Sequence, residues 1–188
     1  LPEDWALAIK PTNITHNEAA PVPNGGITAL FILRKANIQS GQKVLIYGAS
    51  GAVGTSAVQL AKYFGAEVTA VCSSTNLDLV KSLGADSVID YTKEDFTQNG
   101  ENYDLIFDIL GKGSFSKVKR SLNPNGILLF ASFKMKQLFQ MLWTSMAGGK
   151  RVICAIAPGS VEDLISVKEL VEGRKIESII DRRYPLEE

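Results

Sequence analysis

Three glycines spaced three apart, Gly48, Gly51 and Gly54, punctuate the run YGASGAVGTSAVQLAK at residues 47–62. The apolar run KVLIY precedes them and a small-residue helical pattern follows, so the turn joins a buried strand to a helix. That setting carries chemistry. A helix N-terminus presents N–H groups without intrahelical partners and a partial positive charge, and glycines remove the side chains that would hold an anion off. In the G-x-G-x-x-G register Ala49 takes the first place, Gly51 the second and Gly54 the third. Gly51 then admits the backbone to a pyrophosphate, and Gly54 lets the helix pack tightly on the sheet. The turn reads as a dinucleotide phosphate site made by Gly48, Ser50, Gly51, Ala52, Val53 and Gly54. The alternative is a glycine turn that serves packing alone.

The residues that follow bear on which nucleotide is meant. A ribose 2′-hydroxyl needs an acid about 20 residues past the glycines. Here the second strand ends at Val71-Cys72 and runs into Ser73-Ser74-Thr75-Asn76, and the nearest acid in sequence, Asp78, belongs to the next helix. Hydroxyl and amide donors without an acid favour a 2′-phosphate, hence NADP(H) over NAD(H). A polar turn and helix cap is the competing reading, and Lys81 lies one helical turn further on.

Other chemistries fail on residue identity. A P-loop needs Gly-Lys-Ser/Thr, and Gly54 is followed by Thr55-Ser56. No tyrosine has a lysine four positions on, so the Tyr-x-x-x-Lys pair of short-chain dehydrogenases is not found. His16 is the sole histidine and Cys72 and Cys154 stand far apart, which leaves too few ligands at zinc-site spacing. Asp108 ends a strand where ligands bind in such sheets, and a carboxylate bonded to loop amides is its commoner role. Arg182-Arg183 reads either as a phosphate contact or as a solvated pair.

These residues need a scaffold, and the pattern along the chain supplies one. The sequence has 188 residues, is 45% hydrophobic and carries no net charge, which fits one domain and points away from nucleic acid. The isolated cysteines in apolar runs suggest buried thiols in a reducing compartment, read as cytoplasmic. Thr15-His16-Asn17-Glu18 is a capping box for a short helix that Pro21 and Pro23 should stop. A buried helix is expected from Asn24 to Asn37. Beyond it, KVLIYG, EVTAVC, SVID, YDLIFDIL, GILLFASF and RVICAIA read as strands, each followed by a helical pattern. IESIID reads as a further strand, and NPNG as the stop between a helix and GILLFASF. Continuous apolar strands alternating with helices predict an α/β fold with a parallel sheet covered on both faces. The helix at residues 137–147, QLFQMLWTSMA, is apolar around much of its circumference and has no basic face of its own, so no membrane partner is expected.

EAAPVPNGGITAL, GQKVLIYGASGAVGTSAVQLAKYFGAEV, LGAD, VIDYTKEDF, YDLIFDILG and IDRRYPLEE together resemble the medium-chain dehydrogenase/reductase superfamily, in its zinc-free quinone oxidoreductase-like branch. The resemblance covers the whole chain. It implies a Rossmann doubly wound sheet with strand order 3-2-1-4-5-6 that binds NADP(H) and serves quinone, enone or carbonyl reduction, or alcohol dehydrogenase-like chemistry. By the same resemblance Ser73, Ser74, Asn76 and Tyr91 meet the adenosine 2′-phosphate, although the loop lacks the lysine that relatives often place there. Leu110, Gly111, Ala131, Ser132 and Phe133 match the positions near the nicotinamide. Residues 1–23 match a connection from an N-terminal catalytic domain, and residues 24–188 match the cofactor-binding domain without its final helix and strand. No catalytic residue is then expected in this chain, whose partners would be a small-molecule substrate of the longer protein and a second subunit in a homodimer. A non-catalytic nucleotide-binding module that senses redox state is the other reading, because fold alone does not fix activity.

Overall fold

The computed structural model describes residues 7–185. Six parallel strands form one sheet: β1 (Lys43–Tyr47), β2 (Glu67–Cys72), β3 (Ser87–Asp90), β4 (Tyr103–Asp108), β5 (Leu122–Phe130) and β6 (Arg151–Cys154). Their order is β3-β2-β1-β4-β5-β6, the doubly wound arrangement expected from the sequence. Side chains alternate across each strand, so Val44 and Ile46 enter one core and Leu45 the other. All three are fully buried, which is why the strand reads as a continuous apolar run.

Helices α2 (Val22–Lys35), α3 (Ala52–Tyr63), α4 (Leu77–Ser82) and α7 (Val161–Glu172) cover the first face through residues such as Leu30, Leu60, Val80 and Val167. The second face is closed by Val118 of α5 (Phe115–Val118) and by Leu138 and Met141 of α6 (Met135–Ala147). A short α1 (His16–Ala19) starts on the capping box: the Thr15 hydroxyl accepts from the Glu18 N–H, and Glu18 accepts from Thr15.

Two expectations are corrected and one is extended. The short helix α1 ends at Ala19, ahead of Pro21, as expected, and Pro23 also sits in the first turn of α2, where a missing N–H is not needed. NPNG is not a boundary before β5 but a bulge inside it. Leu122 pairs with Tyr103 and Ile127 with Leu105, so residues 123–126 loop out between them, with Asn125 in the left-handed region at φ 65°. IESIID forms no strand. β6 ends the described sheet, and the tail runs instead along α3, where the Glu177 N–H donates to Gln59 Oε1 at 2.7 Å and Gln59 Nε2 donates to the Glu177 carbonyl at 3.1 Å.

The glycine turn joins β1 to α3, and its last two glycines differ physically. A Cβ on Gly54 would stand 2.2 Å from the Gly48 carbonyl oxygen and 2.6 Å from the Ala49 carbonyl carbon. Both are backbone atoms that cannot swing aside. A Cβ on Gly51 would meet only the Gly48 oxygen, at an ordinary 3.8 Å, and Gly51 has an unstrained φ of −81°. Gly54→Ala should therefore cost roughly 1–3 kcal/mol or more of stability, the range for overpacked cores. Gly51→Ala should cost no more than about 1 kcal/mol, as for a helix-capping position. Urea unfolding measures both, and equal losses would show that the two glycines share one packing role.

Candidate functional site

The turn sits at the carboxyl edge of the sheet, where open α/β folds bind ligands. Gly48, at φ +91°, bends the chain out of β1, and the N–H groups of Gly48 and Ala49 donate to the Val71 carbonyl at 3.0 and 3.1 Å. These bonds tie the turn to the end of β2. Gly51 caps α3, and the first helical bond runs from Thr55 N–H to the Gly51 carbonyl at 2.8 Å. No side chain caps this end and its first turn carries no acid. The N–H groups of Ala52, Val53 and Gly54 thus face a clear approach beside Gly51. Nothing in the protein's own packing there calls for glycine at position 51. The space it leaves suits an approaching anion.

The loop after β2 is a single turn of 3-10 helix, Ser74–Asn76, entered from Ser73. Asn76 Nδ2 donates to Ser73 Oγ at 3.3 Å, which leaves the Ser73 proton to Thr75 Oγ1, 3.1 Å away, or to a ligand. Ser74 differs: its hydroxyl donates to Asp90 Oδ2 at 2.5 Å. Asp90 also accepts from the Thr92 hydroxyl and N–H. The Ser74 and Thr92 hydroxyls hold its carboxyl well below the usual carboxylate range. An acid thus stands beneath the loop, supplied by β3 and hidden from a reading that searched only past β2. Because Asp90 already takes the Ser74 proton, Ser74 has none to offer a phosphate.

The loop after β4 is organised by Asp108. Its buried carboxylate accepts from the N–H groups of Leu110 at 3.1 Å, Gly111 at 2.9 Å and Gly113 at 2.5 Å. Burial raises its pKa, and these amides oppose the rise. The commoner reading of this aspartate is the one observed. Gly111, at φ +65°, packs so closely that a Cβ would lie 2.2 Å from the Ser132 carbonyl oxygen, which joins this loop to the end of β5. Leu110 lies half exposed over Gly48. Ser132 is exposed, whereas Ala131 packs toward the first core and Phe133 toward the second.

One cleft gathers Ser50, Gly51, Ala52, Thr55 and Asn76 with Arg182, Arg183 and Tyr184 from the tail. The two arginines line the same cleft as Asn76 of the β2 loop. The tail is held on α3 by the Gln59–Glu177 pairing and by Ile176, which is buried in the first core. Tyr91 does not line that cleft. It faces a separate pocket with Tyr47, Phe96 and Asp108, its ring 6.3 Å from that of Tyr47. Cys72 and Cys154 are buried, and burial raises both thiol pKa values, that of Cys154 to about 11. Neither is poised as a nucleophile at neutral pH.

Comparison with known proteins places this geometry. The family described as zinc-binding dehydrogenase matches residues 52–173. A 2-methylene-furan-3-one reductase of Solanum lycopersicum is 45% identical over 97% of this chain and 44% of its own length. An Arabidopsis thaliana chloroplastic NADPH-dependent alkenal/one oxidoreductase is 40% identical over 58% of this chain and 29% of its own. The structure of the quinone oxidoreductase from Coxiella burnetii superposes with a TM-score of 0.78 at 28% identity, over 87% of this chain and 51% of that one. The chain spans about half the length of the tomato reductase and of the Coxiella protein. Sheet order, glycine turn and matched residues agree: the chain belongs to the zinc-binding dehydrogenase family, within the quinone oxidoreductase-like branch of the medium-chain dehydrogenase/reductase superfamily.

Proposed function

We propose that these residues form the cofactor-binding domain of an NADP(H)-dependent oxidoreductase acting on quinones or enones. The observation that carries this reading is the open space at Gly51 beside the uncapped start of α3. A pyrophosphate fits there, with Ala52, Val53 and Gly54 as N–H donors and Gly48 and Ser50 shaping the turn. NADP(H) supplies the hydride when bound; the chain's own residues bind and orient it. Leu110, Gly111 and Ser132 form the part of the carboxyl edge nearest the centre of the sheet and would position the nicotinamide end. The names of the tomato and Arabidopsis relatives support an enone substrate and NADPH.

Gly51→Val should abolish NADPH binding in a fluorescence titration while the far-UV circular dichroism stays close to that of the wild type. Unchanged affinity would show that the site lies elsewhere.

A 2′-phosphate would meet the Ser73 hydroxyl, the Asn76 amide and the Arg182-Arg183 pair. Charge-assisted hydrogen bonds contribute about 1.5–3 kcal/mol, less where water competes. NADPH should bind at least about ten-fold more tightly than NADH, which corresponds to about 1.4 kcal/mol. Ser73→Asp should move the balance toward NADH, since a carboxylate repels the phosphate and accepts from the 2′-hydroxyl. Arg182→Ala combined with Arg183→Ala should weaken NADPH. Equal affinities for the two nucleotides in the wild type would overturn the assignment.

Among the described residues we assign no proton donor at the carboxyl edge: Asp108 is buried and committed to loop amides. We therefore expect this chain alone to bind NADPH and reduce quinones or short enones slowly. Orientation of reactants supplies roughly 7–11 kcal/mol of barrier reduction, so losing half of it slows turnover by about a thousand-fold. Reduced-nicotinamide absorbance would be followed beside the tomato reductase. Comparable rates would place a complete active site within these 188 residues.

A further inference from the structure

Asp90 stands where β3 gives way to the loop that follows. In the register of β2 and β3 it pairs with Cys72, the last residue of β2, so its side chain lies beside the start of the loop at residues 73–76. The carboxylate is 8% exposed and is engaged at both oxygens. Oδ1 accepts from the Thr92 N–H at 3.0 Å and from the Thr92 hydroxyl at 2.7 Å. Oδ2 accepts from the Ser74 hydroxyl at 2.5 Å, and Lys93 Nζ lies 3.5 Å from the same oxygen. The Ser74 and Thr92 hydroxyls stand 3.4 Å apart. One carboxylate thus ties the loop after β2 to the loop after β3.

That bond fixes the polarity of Ser74. A serine hydroxyl has one proton to give and two lone pairs, whereas an ionised carboxylate only accepts. The Ser74 and Thr92 hydroxyls hold the Asp90 carboxyl well below the usual range, so it is ionised at neutral pH and the Ser74 proton points at it. Only lone pairs remain on the outer side of Ser74 Oγ. Ser73 is set the other way. Its oxygen takes the Asn76 amide, and its proton is left for Thr75 or for a ligand. Two adjacent serines therefore offer opposite polarity, and the difference originates in β3. A nucleotide's ribose distinguishes them, because a 2′-phosphate needs donors while a 2′-hydroxyl is itself a donor.

We propose that Asp90 is a positioning residue for nucleotide choice: by taking the Ser74 proton it makes Ser74 an acceptor, which favours a ribose 2′-hydroxyl and moderates the preference for a 2′-phosphate. This role rests on the NADP(H) reading above. Asp90 acts through Ser74, and it also occupies the ammonium of Lys93. An amide in place of the carboxylate keeps the shape and reverses the polarity. In Asp90→Asn the side-chain oxygen still accepts from Thr92, while the new NH2 group donates to Ser74 Oγ. Ser74 then turns its proton outward, and Lys93 loses its partner. Both changes favour a phosphate. A residue that merely held the two loops together would have the opposite effect, since loss of a charge-assisted bond would loosen the loop and weaken both nucleotides alike.

The test is fluorescence titration of the full chain with NADPH and with NADH, beside urea unfolding of each variant. Asp90→Asn should tighten NADPH about ten-fold, as for one hydrogen bond to a charged acceptor, and leave NADH within about two-fold. Ser74→Ala should leave NADPH within about two-fold and weaken NADH about five-fold, the loss of one neutral hydrogen bond, whereas Ser73→Ala should weaken NADPH about ten-fold. Made in the Ser74→Ala background, Asp90→Asn should lose most of its gain, because the two residues act as one unit. Weaker NADPH binding by a folded Asp90→Asn variant, an unmoved ratio of the two nucleotides, or a full gain without Ser74 would each overturn the assignment. If Asp90→Asn does not fold, the serine pair decides: equal NADPH losses in Ser73→Ala and Ser74→Ala overturn it. Absence of binding of either nucleotide to the wild type would overturn the cofactor reading and this role with it, whereas wild-type binding with an unmoved ratio overturns this role alone.

Discussion

The 2.2 Å between the Gly48 carbonyl oxygen and the point where a Gly54 Cβ would stand is the constraint on which the rest depends. Because that space is closed to any side chain, α3 can press its first turn onto the end of β1. The packing continues outward by the same device. A Cβ on Gly25 would lie 2.3 Å from the Ala52 carbonyl oxygen, and one on Gly26 would lie 2.8 Å from Val167 Cγ1. Helix α2 therefore packs closely on α3 at Gly25 and on α7 at Gly26. The start of α3 is thus packed against the end of β1 on one side and α2 on the other.

A second set of contacts builds the opposite half of the carboxyl edge. Asp108 spends its carboxylate on three loop amides, an arrangement that satisfies a buried charge only when every lone pair is engaged. The loop so formed brings Gly111 onto Ser132 and lays Leu110 over Gly48. Asp90 does similar work beneath the β2 loop through Ser74 and Thr92. Two strand-end aspartates thus shape the rim by holding its loops.

The sheet was legible because each strand is buried on both sides and so writes itself as consecutive apolar residues. The glycine turn was legible because its spacing, preceding strand and following helix are all local. The bulge at residues 123–126 is hidden for the opposite reason. Asn-Pro-Asn-Gly is a breaker by local propensity, and only the pairing of Tyr103 with Leu122 across it reveals what it does here. The tail was misread as a strand because its residues are apolar and β-branched, although Gln59 of α3 had already claimed its backbone.

That last contact alters the electrostatics of the site. Read along the chain, the β2 loop offers hydroxyls and an amide and no cation. Folded, it lies across a cleft from Arg182 and Arg183, which arrive more than a hundred residues later because one buried glutamine pairs with Glu177. Gln59 is 8% exposed, and its amide bonds both backbone groups of one tail residue, so the tail's course is set from within the core. Asp90 places a carboxylate behind Ser74 that is itself paired with Lys93 Nζ at 3.5 Å. On the proposed nucleotide reading, charge at the ribose end comes from β3 and the tail, two segments outside the loop that the motif would nominate. Any reading of nucleotide preference in a relative of this chain should begin from those two segments as well as from the residues after β2.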